Sequence, residues 1–356
     1  MALTERQTPS TSATVPRYAA EALHRWSTAI FAACGVPPAD AGLAARVLVR
    51  TSLRGIDTHG VGRLVPYVEK LRAGEVQATA RPRCEPRAGA LVCDGGNALG
   101  QVVVPAALAE AAVLAQRQAV VACTIVHSGH LGALGPLVLE AAEQGLVAVL
   151  CQQTPPVIAL PGSPAAAIGN NPLAFAMPVA GGPPLVFDMA NSVVARGNVH
   201  DALREGRDVI PEGWAIGPDG QPTTDPRTAL AGAMLPVGGH KGIGLAMLVE
   251  CLAGSLGGVT ERKNSPQGSG ADVGAFLLVI NPDLLCGRAA FDTQVQAWLE
   301  AYRAGSGGQG RYPGERQAAS EAERSQQGIP LPEGMRREFA RIGEALGVPF
   351  DLAPSV

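Results

Sequence analysis

Aromatic residues make up only 4% of this 356-residue chain and charged residues only 17%. The 28 Lys plus Arg against 31 Asp plus Glu leave a formal net charge of -3, which excludes polyanion binding by clustered base, so no nucleic-acid partner is expected. No run of about 18 apolar residues escapes Gly, Pro or a charge, so neither a bilayer-spanning helix nor a membrane partner is expected. Met1 to Val15 is polar and lacks the apolar centre of a secretory signal, which predicts a cytoplasmic protein. The seven cysteines (Cys34, Cys84, Cys93, Cys123, Cys151, Cys251 and Cys286) are scattered without a CxxC. That spacing argues against a disulfide framework or a zinc ribbon, and predicts buried thiols. Also missing are a GxGxxG after a strand and a Gly-Lys-Ser/Thr loop, which excludes a conventional Rossmann or P-loop assignment.

What is there is apolar and small. The chain is 47% hydrophobic, mostly Ala, Val and Leu, with 44 Gly and 29 Pro that belong largely in loops. Length predicts two or three domains at roughly 150 residues each. Residues 1–16 read as a disordered tail, dominated by Thr, Ser and Pro. Helical patterns follow at Tyr18 to Cys34 and Ala39 to Leu53, then a loop at Arg54 to Leu64 and a short helix from Pro66 to Arg72. From Val104 the pattern alternates: helix Pro105 to Arg117, strand Val120 to Val126, helix Leu134 to Gln144, strand Leu146 to Cys151. Such alternation predicts an α/β layer with a mostly parallel sheet. Further strands are expected at Leu173 to Met177, Leu185 to Met189 and Phe276 to Ile280. A long apolar helix from Lys241 to Leu256 should be central, Glu261 to Gly274 reads as a polar loop, and Phe291 to Ala304 and Arg336 to Leu346 should close the fold.

Five stretches can carry chemistry. In Asp57-Thr58-His59-Gly60-Val61-Gly62-Arg63, a histidine able to move a proton near neutrality precedes an arginine fork suited to a carboxylate. A loop histidine satisfied by Asp57, with Arg63 solvated, is the plain alternative. His127-Ser128-Gly129-His130-Leu131-Gly132-Ala133-Leu134-Gly135 lies where a strand hands over to a helix, a place for a cofactor phosphate. Its histidines also suit a metal, but a third ligand at local spacing is missing. Gly169-Asn170-Asn171-Pro172 pairs with Phe187-Asp188-Met189-Ala190, where Asp188 can accept from ribose hydroxyls or cap the next helix. Gly238-Gly239-His240-Lys241-Gly242 brings a lysine to a helix start, and Arg311-Tyr312-Pro313-Gly314-Glu315-Arg316 is a tight turn with paired charges.

Together, in this order from about Tyr18 to Val348, these stretches and Gly213-Trp214-Ala215 resemble the malate/L-lactate dehydrogenase-like family of NAD(P)-dependent oxidoreductases, distinct from the Rossmann-type enzymes. The resemblance implies a three-layer α/β/α fold with a mostly parallel or mixed sheet forming a non-Rossmann nicotinamide-binding domain. It implies a helical domain of residues 17–80 packed with 305–356, the α/β domain spanning 81–304. A homodimer with its active site between domains is also implied. The activity implied is hydride exchange between NAD(P)H and a small 2-keto or cyclic 2-imino acid. By the same resemblance His59 is the proton donor or acceptor, Thr58 its hydroxyl partner and Arg63 the carboxylate ligand, with His130 at the junction of nicotinamide and substrate. Asn170 and Asn198 fall near substrate. Cofactor contacts fall on His130, Leu131, Gly132, Ala133, Leu134, Gly135, Asp188, Met189, Ala190, His240, Lys241, Pro313, Gly314, Glu315 and Arg316, and no metal is implied. The chain departs from the family pattern in Thr58 for a frequent Ser, Asn170 for a common Thr, Asn198 for a Lys or an acid, and Ala275 for a common His. NAD or NADP as cofactor is open at this level.

Two other readings compete. A metal-dependent hydrolase would use His127, His130 and a distant carboxylate, and a catalytically inactive relative would bind a dinucleotide without turnover.

Overall fold

The structure is a computed structural model that describes residues 15–160, 162–163, 165–258 and 273–355. The proposed disordered tail falls almost wholly, and the polar loop at Glu261 to Gly274 largely, outside the described residues. The chain opens with β1 (Arg17–Tyr18), α1 (Ala20–Ala33), α2 (Pro38–Leu53), two 3-10 turns at Asp57–His59 and Val61–Arg63, and α3 (Leu64–Arg72). Then come β2 (Arg83–Arg87), β3 (Ala90–Asp94), α4 (Gly100–Leu114), β4 (Val120–Ser128), α5 (Gly135–Glu143), β5 (Val147–Gln152), β6 (Pro156–Ala159), β7 (Ala166–Gly169), β8 (Leu173–Met177) and β9 (Leu185–Met189). A smaller unit holds α6 (Arg196–Arg204), β10 (Ala215–Ile216), β11 (Pro222–Thr223), α7 (Pro226–Ala231) and β12 (Ala233–Met234). The rest is α8 (His240–Val249), β13 (Val273–Ile280), α9 (Arg288–Gly305), α10 (Glu315–Gln327), β14 (Ile329–Pro330) and α11 (Glu333–Ala345).

The main sheet has seven strands in the order β2-β3-β4-β13-β5-β8-β9. It is mixed, and its one parallel pair is β3 with β4. The β4-α5-β5 segment is the crossover its alternating pattern predicts, and its two strands run the same way. β13, from far down the chain, inserts between them antiparallel to both, which no local pattern reveals. The strands carry apolar side chains on both faces because both are covered. On one face, Leu137, Val138 and Ala141 of α5 and Val103, Ala107 and Ala111 of α4 pack on Cys123, Ile125, Leu150 and Leu277. On the other, Val249 and Ala253 meet Cys151 and Phe276, and Val295 and Leu299 of α9 meet Leu185. The result is three layers. A second sheet, β11-β10-β12-β6-β7, is built from strands of two to four residues.

A separate core joins the two ends of the chain. Trp26, Ile30 and Phe31 of α1, Leu48 of α2 and Leu64 of α3 pack with Ile329, Leu331, Phe339 and Ile342. Trp26 lies 4.9 Å from Phe339, ring centre to ring centre, and β1 pairs with β14. Aromatic contacts thus help hold these distant segments together.

Three expectations need correction. The helix read from Pro105 begins at Gly100, and Pro105 sits inside it in its second turn. Gly100 starts it because a Cβ there would lie 2.7 Å from the carbonyl oxygen of His130. The apolar helix from Lys241 is only half-buried, and it changes to a π-helical turn at Glu250–Ser255. Met247 and Leu248 are 51% and 48% exposed, so its composition marks an uncovered face rather than a central one. The cysteines are not all buried thiols: Cys84 and Cys93 stand opposite each other across β2 and β3 and are joined as a disulfide, while Cys251 and Cys286 are exposed.

Candidate active site

The loop between α2 and α3 is held from two sides. Asp57 receives both terminal nitrogens of Arg324 from α10, at 2.6 and 3.0 Å, and the same arginine caps Ser52 O. From inside, Ser52 Oγ accepts the N–H of Val61 at 3.0 Å. Gly60 is required because a Cβ there would collide with Ser52 Oγ. We expect Gly60→Ala to displace Ser52 and cost about 1–3 kcal/mol as overpacking, read as a lower urea midpoint together with reduced activity. A midpoint equal to that of the parent would contradict this account of the loop.

Three side chains emerge from the clamped loop and α3. Thr58 Oγ1 lies 2.9 Å from His59 Nδ1, which leaves Nε2 without a protein partner among the described residues. Arg63 is steadied by its own loop, Nε donating to Thr58 O at 2.9 Å, and no carboxylate pairs with its fork among the described residues. The start of α6 closes over them: a Cβ on Gly197 would lie 3.7 Å from Thr58 Cβ and 3.8 Å from an Arg63 terminal nitrogen. Asn198 follows directly.

His130 meets this group from the end of β4, its ring 6.0 Å from that of His59 and inclined by 29°. Its loop is braced by Gln152, which accepts from Leu131 N–H and donates to Gly129 O, each at 3.1 Å. Leu131 and Leu134 point into the core, which leaves His130, Ala133, the glycines and backbone of this stretch for the site. Gly132, at φ +80, passes close over Tyr67 and Gln101.

Both imidazoles are held neutral although each keeps some open surface. His59 is pushed down to about 4 by burial and then by the charge of Arg63. His130 is pushed down to about 3 by burial, then by Arg63, His59 and Lys70. Because the ordinary value is 6.5, the unfolded chain binds more protons than the native one between about pH 4 and 6.5. Stability contributed by these rings is therefore lost as pH falls through that window. Urea unfolding at pH 4–7 should show this fall, and a shallower one in His130→Gln; equal slopes would contradict it.

Asp188 ends β9 with its side chain open to solvent, yet crowding by protein raises its pKa to about 6 against the N–H groups of Gly135 and Leu134, which lower it. It caps α5 rather than the helix that follows it, with Oδ2 accepting from Gly135 N–H at 2.7 Å. The turn at Pro313 to Arg316 docks on the same strand, where Pro313 O accepts from Val186 N–H at 2.9 Å. Gly314, at φ +103, fits there because a Cβ would lie 2.8 Å from Pro184 O. His240 and Lys241 are exposed at the start of α8, which abuts the segment after Ala190 through Val237 N–H to Asn191 O. Asn170 is engaged elsewhere, accepting from Thr154 Oγ1 at 2.8 Å, and no hydrogen bond among the described residues joins it to His59, Arg63 or His130. His127 pairs with Asp94, and no three His, Cys, Asp or Glu among the described residues gather as metal donors.

The sequence model for malate/L-lactate dehydrogenase matches residues 18–340. The chain belongs to this family. Delta(1)-pyrroline-2-carboxylate/Delta(1)-piperideine-2-carboxylate reductase of Pseudomonas putida is 36% identical over 347 residues, covering 95% of this chain and 99% of that one. The NADP(+)-linked (2R)-3-sulfolactate dehydrogenase of Chromohalobacter salexigens is 35% identical over 318 residues, covering 88% and 94%. The crystal structure of delta1-piperideine-2-carboxylate reductase from Pseudomonas syringae superposes with a TM-score of 0.81 at 33% identity, over 92% of this chain and 99% of that one. As a malate/L-lactate dehydrogenase family member the chain is an NAD(P)-dependent oxidoreductase, and the relatives support that reading rather than the hydrolase.

Proposed function

We propose that this chain reduces a small 2-keto acid or cyclic 2-imino carboxylate, and oxidises the matching 2-hydroxy or amino acid, with His59, Arg63 and His130 as its working groups. The observation that carries this is the juxtaposition of an arginine fork, unpaired among the described residues, with two neutral imidazoles on a braced floor. The site fits a nicotinamide dinucleotide: Gly132 takes the positive φ that lets the backbone turn beside His130, α5 begins next to it, and Asp188 presents a carboxyl. His130, Gly132 to Gly135, Asp188 to Ala190, His240, Lys241 and Pro313 to Arg316 would hold it. When bound, the reduced nicotinamide supplies the hydride.

The chain's own groups do the rest. Arg63 takes the substrate carboxylate on its two terminal nitrogens and so orients the carbonyl. His59 gives a proton to the reacting oxygen of a keto acid or nitrogen of an imine, or takes one in the reverse direction, and Thr58 holds its Nδ1. His130 donates a hydrogen bond to the same oxygen as negative charge grows there. Because Arg63 helps keep His59 deprotonated, a carboxylate that neutralises Arg63 makes His59 easier to protonate, so anion binding recruits the proton. Asn198, beside Gly197, faces the rest of the substrate, and we assign Asn170 to the outer rim.

We further propose a cytoplasmic homodimer with a helical domain from residues 17–80 and 305–356 and an α/β domain from 81–304. The uncovered Met247, Leu248 and Leu256 support the dimer.

The test is loss of nicotinamide absorbance with NADH and NADPH against pyruvate, oxaloacetate, other 2-keto acids and cyclic 2-imino carboxylates. Turnover with one pair is expected. No turnover, together with no heat of binding for either cofactor, would overturn the reading.

A further inference from the structure

Beneath His130 lies a buried polar cluster that the reaction does not itself require. Tyr67 of α3 is fully enclosed, and its Oη sits 2.9 Å from His130 Nδ1 and 3.4 Å from His130 O. Gln101, in the first turn of α4 and 0% exposed, places its Nε2 2.9 Å from Tyr67 Oη, 3.0 Å from Leu131 O and 3.1 Å from His130 O. Its Oε1 has no partner among the described residues.

One proton assignment uses every short contact, with the Tyr67 hydroxyl donating along the 2.9 Å contact to Nδ1 rather than the 3.4 Å contact to His130 O. Carbonyl oxygens only accept, so the Gln101 atom facing two of them is the NH2 nitrogen. That nitrogen cannot accept, so at the third contact Tyr67 Oη is the acceptor. Tyr67 then turns its own hydrogen to the nearer of its remaining neighbours, Nδ1 of His130. Nδ1 must be bare to accept it, and a neutral imidazole with a bare Nδ1 carries its proton on Nε2. Burying the amide with Oε1 unpaired costs stability, which a Met of similar size would avoid. The amide is present at the expense of stability, for what its NH2 does.

We infer that Gln101 and Tyr67 are positioning residues that lock His130 in the Nε2–H form, so that it faces the reacting oxygen as a hydrogen-bond donor and never as an acceptor. This rests on the proposed placement of His130 beside the substrate. The lock reaches His130 from two other elements, α3 and α4, and joins the helical core to the cofactor-side loop.

The test uses the full-length protein labelled with 15N in its six histidines, with the His130 ring assigned by its loss in His130→Gln. Imidazole nitrogen shifts report the tautomer without substrate or cofactor. The parent should show His130 wholly as Nε2–H at neutral pH. Tyr67→Phe removes only an oxygen and should give a tautomer mixture with kcat about 5- to 10-fold lower, KM for keto acid and cofactor staying near parental values. Gln101→Met should move both readouts in the same direction by less. A parent already mixed or Nδ1–H, or a tautomer unmoved by Tyr67→Phe, would overturn the lock. A tautomer that shifts while kcat does not would overturn the donor role and the placement of His130 with it, leaving the proton account of Tyr67 as simple packing. Because tautomer is read without turnover, the first failure is distinct from failure of the functional reading.

Discussion

His59→Ala is expected to lower kcat by about 10^2- to 10^4-fold in both directions while leaving the KM for the keto acid within a few-fold of the parent. The pattern follows from position. His59 is held at Nδ1 by Thr58 and makes no contact with the carboxylate-binding fork except through charge, so removing it deletes proton transfer and little binding. Its protonation state predicts the pH profiles as well. With a value near 4 in the free protein, His59 is a ready base at neutrality, so kcat/KM for oxidation should stay flat through neutral pH and fall only toward about pH 4. In the reductive direction the same group must first gain a proton, and kcat/KM should fall about tenfold per pH unit across the neutral range. Steady-state kinetics in both directions measure this. A parental profile in the His59→Ala variant, or kcat within threefold of the parent, would remove His59 from the mechanism.

Arg63→Ala is expected to raise the KM for carboxylate substrates by about 10- to 150-fold, from the roughly 1.5–3 kcal/mol that hydrogen bonds to a charged group contribute. Cofactor binding should change little. Arg63→Lys should recover only part of the loss, because an ammonium cannot reproduce the planar fork. A second consequence separates this from ordinary damage. The charge of Arg63 is the second cause, after burial, of the low pKa of His59. Removing that charge favours the protonated ring, so the acid limb of the oxidative profile should move up from about 4 toward 6.5. An unchanged KM would place the carboxylate elsewhere, and an unmoved acid limb would disconnect the two residues.

The parts of this site that were legible before the structure are those written in consecutive residues. Thr58, His59 and Arg63 share one loop, His130 ends a strand of plain β character, and Asp188 ends another. The edges of most helices and strands followed from capping glycines, prolines and period, with errors of a few residues. What holds the site was not legible. Tyr67 and Gln101 are 34 residues apart, and Tyr67 reads as one more apolar position of a short amphipathic helix. Gln152 reads as the polar end of a strand. α10, Glu315–Gln327, was missed altogether because it has no apolar stripe; it is fastened by Glu321 to Arg50 and Arg54, and by Arg324 to Asp57. Such partners lie on the other side of the sequence, and polar helices have no period to announce them. The insertion of β13 and the facing of Cys84 and Cys93 are likewise matters of register, visible only once strands are paired.

The central claim is that a hydride passes between the nicotinamide and C2 of a carboxylate-bearing substrate that Arg63 and His59 hold. The most direct measurement supplies NADH or NADPH deuterated at C4 of the nicotinamide, on the transferred face, together with the best 2-keto or cyclic 2-imino acid. The product is then examined by NMR. The account predicts one deuterium at C2 for each cofactor oxidised. Product lacking deuterium at C2, or formed without cofactor oxidation, would contradict it.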